Sequence, residues 1–304
     1  MSQFQLFAVE DAGPRPLPVP PTVTRFADLY HGLPLGVYDA LRTFEHNKFL
    51  YLSRHLARTE RSMALLGWHY TLDRARLLRA LHGVVSAAEW PESRVRFDVL
   101  AAPDAATTIE GQQIASRELI AIQPFTPPPP ELYARGVAVD FARGLTRESP
   151  LAKTADFAAR RPAGAGLTQL EGTPADKPQP TDDVPYEYLL LDTDGRILEG
   201  TGTNFWAIRN GVVYTAGEGV LEGITREILL QIIPELGLPL RLEAVSVDEI
   251  AALDEAAVSG SSRALLPVVE IAGQAVGDGR PGPLTRCILA AYHAFVAANV
   301  KTAV

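Results

Sequence analysis

Apolar and polar residues alternate through Gly36–Leu52, as GVYDALRTF, EHNK and then FLYL, which predicts a β-hairpin turning at EHNK. The spacing changes in SRHLARTERSMALLGW, where Leu56, Met63 and Leu66 recur near helical period behind Ser53, a good N-cap residue. A second helix is expected over roughly 72–88, followed by strands in SRVRFDVLAA and ELIAIQPF. Four consecutive prolines, Pro127–Pro130, suit neither a helix nor a central strand, so residues 125–131 read as an extended linker. Beyond them come strand GVAVDFA, the short segment ESPLAKTADFAARR, and a polar Pro/Gly-rich run from Pro162 to Pro185 read as a loop. Hairpins then turn at Asp194-Gly195 and Asn210-Gly211. A helix in GITREILLQIIPELG ends where Gly237 can adopt a left-handed C-cap. Strand RLEAVSV, a short helix, strand AAVSGSS and a C-terminal helix complete the pattern.

The expected fold is α/β (α+β) in two domains: residues 1–124, a linker at 125–131, and a larger domain at 132–304. Hydrophobic residues make up 47% and charged residues 21%, which places the chain among globular proteins. No run approaches the roughly 20 apolar residues of a membrane span, and MSQFQLFAVEDAGPRPLP lacks a basic-then-apolar leader pattern, so a cytoplasmic protein is expected. The single cysteine, Cys287, rules out an intrachain disulfide and is read as a small buried apolar residue. A net charge of −8 argues against a nucleic-acid partner.

Composition sharpens one point of chemistry. The only lysines are Lys48, Lys153, Lys177 and Lys301. Lys48 reads as a turn residue, Lys177 lies in the Pro-rich run, and Lys301 is in a terminal tail. Chemistry that requires an amine therefore has one good candidate, Lys153. Two small-residue turns also favour anions: Gly-Ile-Thr at 223–225 opens a helix, and SGSS at 259–262 follows a strand. Either alone is an ordinary cap or turn, and Arg58 alone is an ordinary solvated arginine.

Their order along the chain is informative. HLAR at 55–58, LAKT at 151–154, DGRILEGTGTNFWAI at 194–208, GVLEGITR at 219–226 and SGSSRALLPV at 259–268 resemble, in register, the segments of fold-type IV (class IV) pyridoxal-phosphate aminotransferases. That family includes branched-chain and D-amino acid aminotransferases and aminodeoxychorismate lyase. The resemblance covers roughly residues 36–290. It implies pyridoxal 5′-phosphate as cofactor, with Lys153 forming the internal aldimine and moving the substrate proton. It also implies Glu199 as the partner of the pyridine nitrogen, and Arg58, Ile224, Thr225 and Ser261 as the phosphate cup. Ser262 and Arg263, with Arg96 and Tyr38, fall at substrate-facing positions. Arg263 is either a grip for an acidic group or an exposed loop arginine, and Arg94 faces the same side as Arg96.

The sequence departs from the family pattern at Phe157, which stands near a position where relatives carry a tyrosine; Tyr38 is a possible substitute. His31, Leu33 and Pro34 replace an aromatic cluster. The implied function is amino transfer from an amino acid or amine to a 2-oxo acid, in a homodimer with no membrane or nucleic-acid partner. A lyase of the same chemistry and an inactive scaffold are the alternatives.

Overall fold

The computed structural model describes residues 4–20, 23, 26–30, 32–102, 107–162, 164, 166 and 184–302. His31, Lys177 and most of the Pro/Gly-rich run singled out above lie outside them. The first half holds strands β1 (Gln5–Glu10), β2 (Gly13–Leu17), β3 (Val37–Phe44) and β4 (Lys48–Leu50), then helices α1 (Leu52–Leu65) and α2 (Arg74–Ala87). Strand β5 (Ser93–Val99), a two-residue-strand hairpin of β6 (Thr108–Ile109) and β7 (Gln112–Gln113), and β8 (Glu118–Pro124) follow. Next come α3 (Pro130–Arg135), β9 (Val137–Phe141), α4 (Ala155–Arg160), β10 (Glu187–Leu191), β11 (Ile197–Gly200), β12 (Asn204–Arg209) and β13 (Val212–Tyr214). The chain ends with α5 (Ile224–Glu235), β14 (Leu240–Arg241), β15 (Glu255–Gly260), β16 (Ala264–Ile271), β17 (Gln274–Ala275), α6 (Pro283–Asn299) and β18 (Val300–Thr302).

These strands build two large sheets. The first has the order β18-β4-β3-β5-β8-β1-β2, and the second runs β11-β10-β9-β16-β15-β12-β13-β14. Period-two alternation decides what the first sheet shows to each side. Val95, Phe97 and Val99 of β5, with Val37 and Leu41 of β3, pack under α1 and α2 against Leu56, Met63, Leu77 and Leu81. The register pairs Ala40 with Arg96 and Arg42 with Arg94, so both β5 arginines face the opposite side, as expected. One face of the second sheet is covered by α5 and α6 through Trp206, Ile208, Ile228, Leu229 and Ile288. Each such buried aliphatic side chain contributes about 1.5–3 kcal/mol of transfer free energy.

The predicted turns are in place. Asn210 and Gly211 both have positive φ (49° and 73°), the pairing a two-residue hairpin requires. Gly237, at φ 74°, follows the end of α5.

Several expectations need correction. The proline run is not linker throughout: Pro130 opens α3, where the missing N–H was one of the helix's unpaired donors anyway. Ser53 lies inside α1, whose N-cap is Tyr51 in a left-handed conformation. The second helix starts slightly later than expected, at Arg74, because Asp73 caps it by accepting from the Arg76 N–H at 2.9 Å. Of RLEAVSV only Arg241 joins a strand, β14, and Ser246 makes an isolated bridge to Arg196. Cys287 is exposed rather than buried. Lys48 begins β4 instead of lying in its turn, and Lys301 pairs with Phe49 in β18 rather than trailing free. That last strand carries the chain back to the first sheet. Among the described residues, no helix is long and apolar enough to cross a membrane.

Candidate active site

The two sheets meet around a cavity of about 890 Å³. Lys153, Glu199, Arg58, Ile224, Thr225, Ser261, Ser262, Arg263, Arg96 and Tyr38 all line it, so every site residue singled out in the sequence converges there.

Lys153 is pinned through its backbone. Its N–H donates to the Ser62 hydroxyl on α1 (3.1 Å), and its carbonyl accepts from the Tyr38 N–H on β3 (3.1 Å). Its amine lies over the Tyr38 ring, 4.8 Å from the centroid. Burial lowers the Lys153 pKa; Tyr38 and Asp39 oppose this, while Arg58 and Arg161 add to it. A lysine with a depressed pKa is a nucleophile and a base. Burial by itself raises the Tyr38 hydroxyl, but the charges of Lys153, Arg161, Arg96 and Arg147 outweigh it and bring it down to about 7.

Glu199, at the end of β11, is buried and held by three donors. Arg147 Nε donates to it at 2.9 Å, the Leu221 N–H at 3.1 Å and Asn204 Nδ2 at 3.2 Å. Burial outweighs these partners and pushes its carboxyl up to about 7. Phe157, which lacks the expected hydroxyl, supports this arrangement differently: the Arg147 guanidinium lies 3.9 Å from its ring centroid.

Gly223 precedes α5. A Cβ there would stand 2.1 Å from Asn204 Oδ1, so only glycine lets the helix start this close to β12. No side chain caps α5, which leaves its first amides and the Thr225 hydroxyl at the cavity. Arg58 reaches the same end from α1, where Nη1 donates to the Glu222 carbonyl at 3.1 Å.

Two pairings correct the picture of free arginines. Arg263 donates from Nη1 to Glu187 (3.2 Å) and is buried, so it is neither an exposed loop residue nor an unpartnered grip. Glu187 also accepts from the hydroxyls of Thr201 (2.7 Å) and Thr203 (3.3 Å). Arg96 is paired with Asp98 through Nε (2.8 Å) and Nη2 (2.5 Å) and stacks between the Tyr30 and Tyr38 rings.

Sequence reasoning missed Asp39, His55, Arg147, Asn204, Glu187 and Arg161. Asp39 is fully buried and accepts from Arg58 (Nη2 2.7 Å, Nε 3.0 Å) and His55 Nδ1 (2.9 Å). Although burial resists ionisation, Arg58 and His55 hold its carboxyl well below the usual range. A signal was present: an acid at 39 shares the inward face of β3 with Val37 and Leu41.

Comparison with known proteins agrees with this geometry. Residues 36–271 match the family model for amino-transferase class IV. A branched-chain-amino-acid aminotransferase of Pseudomonas aeruginosa is 34% identical over 116 residues, 38% of this chain and 38% of that protein. A D-alanine aminotransferase of Bacillus licheniformis is 38% identical over 103 residues, 33% of this chain and 36% of that protein. The match therefore spans little more than a third of these curated relatives. Solved structures extend the likeness in fold. The Thermobaculum terrenum branched-chain amino acid aminotransferase in its PLP form superposes with a TM-score of 0.75 at 20% identity, covering 99% of this chain and 98% of that one. The branched-chain aminotransferase of Thermoproteus uzoniensis, solved with norvaline, gives 0.70 at 22% identity and covers 99% of both chains. A family match over most of the chain, on a fold shared from end to end, leads to one conclusion: the chain belongs to the class IV aminotransferases.

Proposed function

We propose that this protein is a pyridoxal-phosphate-dependent transaminase that moves an amino group from an amino acid to a 2-oxo acid in two half-reactions. The observation that carries this reading is the half-buried Lys153, with its lowered pKa, lining one cavity with the buried carboxylate of Glu199. The donor set fits the cofactor at three points. The uncapped start of α5, with Thr225, Ser261 and Arg58, suits a phosphate. Glu199 suits a protonated ring nitrogen, and Lys153 suits an aldehyde carbon.

When bound, the cofactor supplies the carbonyl carbon that takes the amino group and a ring that withdraws electrons. The chain's own residues do the rest. Glu199 keeps a proton at the ring nitrogen, where a positive charge would favour its ionised form. Lys153 takes up and moves the substrate Cα proton, a base role that its lowered pKa supports. Arg147, stacked on Phe157, orients Glu199. Ser62 and the β3 backbone orient Lys153. The amides at Ser262 and Arg263 are placed to meet a substrate carboxylate. We further propose a homodimer, as the family resemblance implies, and a cytoplasmic location.

The test is direct. Purified protein incubated with the cofactor and borohydride is digested and mapped, then assayed with L- and D-amino acids against pyruvate and 2-oxoglutarate. Attachment at Lys153 together with amino transfer is expected. Attachment at another lysine, or elimination without transfer, would overturn the proposal.

A further inference from the structure

Arg58, Arg94, Arg96, Arg147, Arg161 and Arg263 line the cavity, and most have their charge answered in place. Arg58 pairs with Asp39, Arg96 with Asp98, Arg147 with Glu199 and Arg263 with Glu187. Arg94 is buried over the Phe26 ring, 5.1 Å from its centroid.

Arg161 is arranged differently. It follows α4 and is half-buried; its Nε donates to the Ala158 carbonyl at 3.2 Å. Its Nη1 rests over Gly202, 2.7 Å from where a Cβ would project. Among the described residues no carboxylate forms an ion pair with it. Glu187 Oε2 approaches the same glycine, 3.5 Å from that projected Cβ. That carboxylate, however, is occupied by Arg263, Thr201, Thr203 and the Gly202 N–H. With Nε already bonded, and no described residue bonding its two terminal nitrogens, the guanidinium offers them to an incoming anion, the geometry that grips a carboxylate through parallel hydrogen bonds.

We propose that Arg161, beside the amides of Ser262 and Arg263, anchors the substrate carboxylate adjacent to the reacting carbon, so that the pocket selects α-amino acids and 2-oxo acids over amines and ketones without that group. This rests on the transaminase reading above. Position supports the adjacent carboxylate over a distal one. Arg161 acts on both the Lys153 amine and the Tyr38 hydroxyl, lowering the pKa of each, and Lys153 is the group assigned to the Cα proton. Gly202 is then required for space: any side chain there pushes the guanidinium aside.

The experiment titrates the holoenzyme with butyrate, glutarate and butyramide by ligand-observed NMR, in wild type and in the Arg161→Ala, Arg161→Lys and Gly202→Ala variants. In Arg161→Ala, butyrate and glutarate affinities are expected to fall about tenfold or more, the loss of a charged hydrogen-bonded contact, while butyramide is unchanged. Arg161→Lys recovers part of the loss, since it keeps the charge without the fork. Gly202→Ala weakens butyrate with the guanidinium still present, which keeps the test open should Arg161→Ala fold poorly. Unchanged butyrate affinity in both Arg161→Ala and Gly202→Ala overturns the proposal. So does a loss confined to glutarate, which puts the guanidinium at the far end of the substrate. Amino transfer with unchanged butyrate affinity in these variants sinks this inference alone; Arg161-dependent butyrate binding without amino transfer sinks the transaminase reading alone.

Discussion

The two ends of the cavity are built on different principles. At the second sheet, the buried acid Glu199 is paired with Arg147 and also held by two neutral donors, Asn204 on β12 and the Leu221 N–H in the loop before α5, and burial still pushes its carboxyl up to about 7. At the first sheet, charges are matched one to one: Asp39 with Arg58, and Asp98 with Arg96 between two tyrosine rings. An acid whose carboxyl sits near 7 can change its protonation when a ligand arrives. A fully paired buried charge cannot do so cheaply. Such pairs add little net stability, yet removing one partner is costly. The Glu199 end is thus chemistry resting on a tolerant scaffold, and the Asp39 end is a rigid wall whose substitution threatens the fold.

This contrast predicts opposite outcomes for two substitutions. Lys153→Ala is expected to lower turnover by at least about 10²-fold, the range for loss of a positioned base, and to abolish borohydride-trapped cofactor while the protein stays folded. Steady-state kinetics with circular dichroism checks it. Unfolding with the loss of activity would mean that the amine holds structure. Asp39→Asn should do the reverse. It leaves the fully buried Arg58 without its counter-charge, and denaturant titration of the cofactor-free protein should show a loss of about 3–5 kcal/mol. A loss below about 1 kcal/mol, within the range of exposed ion pairs, would show that the wall is not held by its charges.

The same contrast explains what was legible in the sequence. Lys153, Glu199, Thr225 and Ser261 sit in short local motifs at strand ends, a helix start and the turn before α4, and all reach the cavity. The charge pairs were harder to see because they are made by register and folding. Arg147 lies in an irregular stretch, 52 residues from its partner Glu199. Arg263 and Glu187 are 76 apart. Neither has a local signature. Arg96 and Asp98 are two apart on one strand face, so alternation alone would have paired them. The fold was misread mainly at boundaries. Pro130 looked like linker because proline is excluded from helix interiors, but position N1 escapes that rule.

Arg263→Ala gives a more graded test, since Glu187 keeps its Thr201, Gly202 and Thr203 donors when the guanidinium leaves. A cost of about 1–3 kcal/mol is expected, with similar changes in kcat/KM for pyruvate and 2-oxoglutarate. Thermal unfolding and parallel kinetics on the two acceptors measure it. A selective loss for 2-oxoglutarate would mean that Arg263 leaves Glu187 to serve the substrate.

The smallest signal is spectroscopic and comes from Tyr38, where the two ends meet. Its hydroxyl is set near 7 because the field of Lys153, ahead of Arg161, Arg96 and Arg147, outweighs burial. Cofactor-free protein should therefore show phenolate absorption growing through about pH 7, well before ordinary tyrosines ionise near 10. There are nine tyrosines, so the signal requires a difference spectrum against Tyr38→Phe. The sign for stability follows from a folded-state value below the unfolded one. Tyr38's contribution is fully present above its unfolded value of about 10 and is lost as pH falls through about 7. Wild type should gain on Tyr38→Phe between those limits. Lys153→Ala removes the largest favourable charge, so the phenolate rise should move to higher pH in that variant. A Tyr38 titration that stays in place without Lys153 would show that the arginines alone set it, and the coupling between lysine and tyrosine would be refuted.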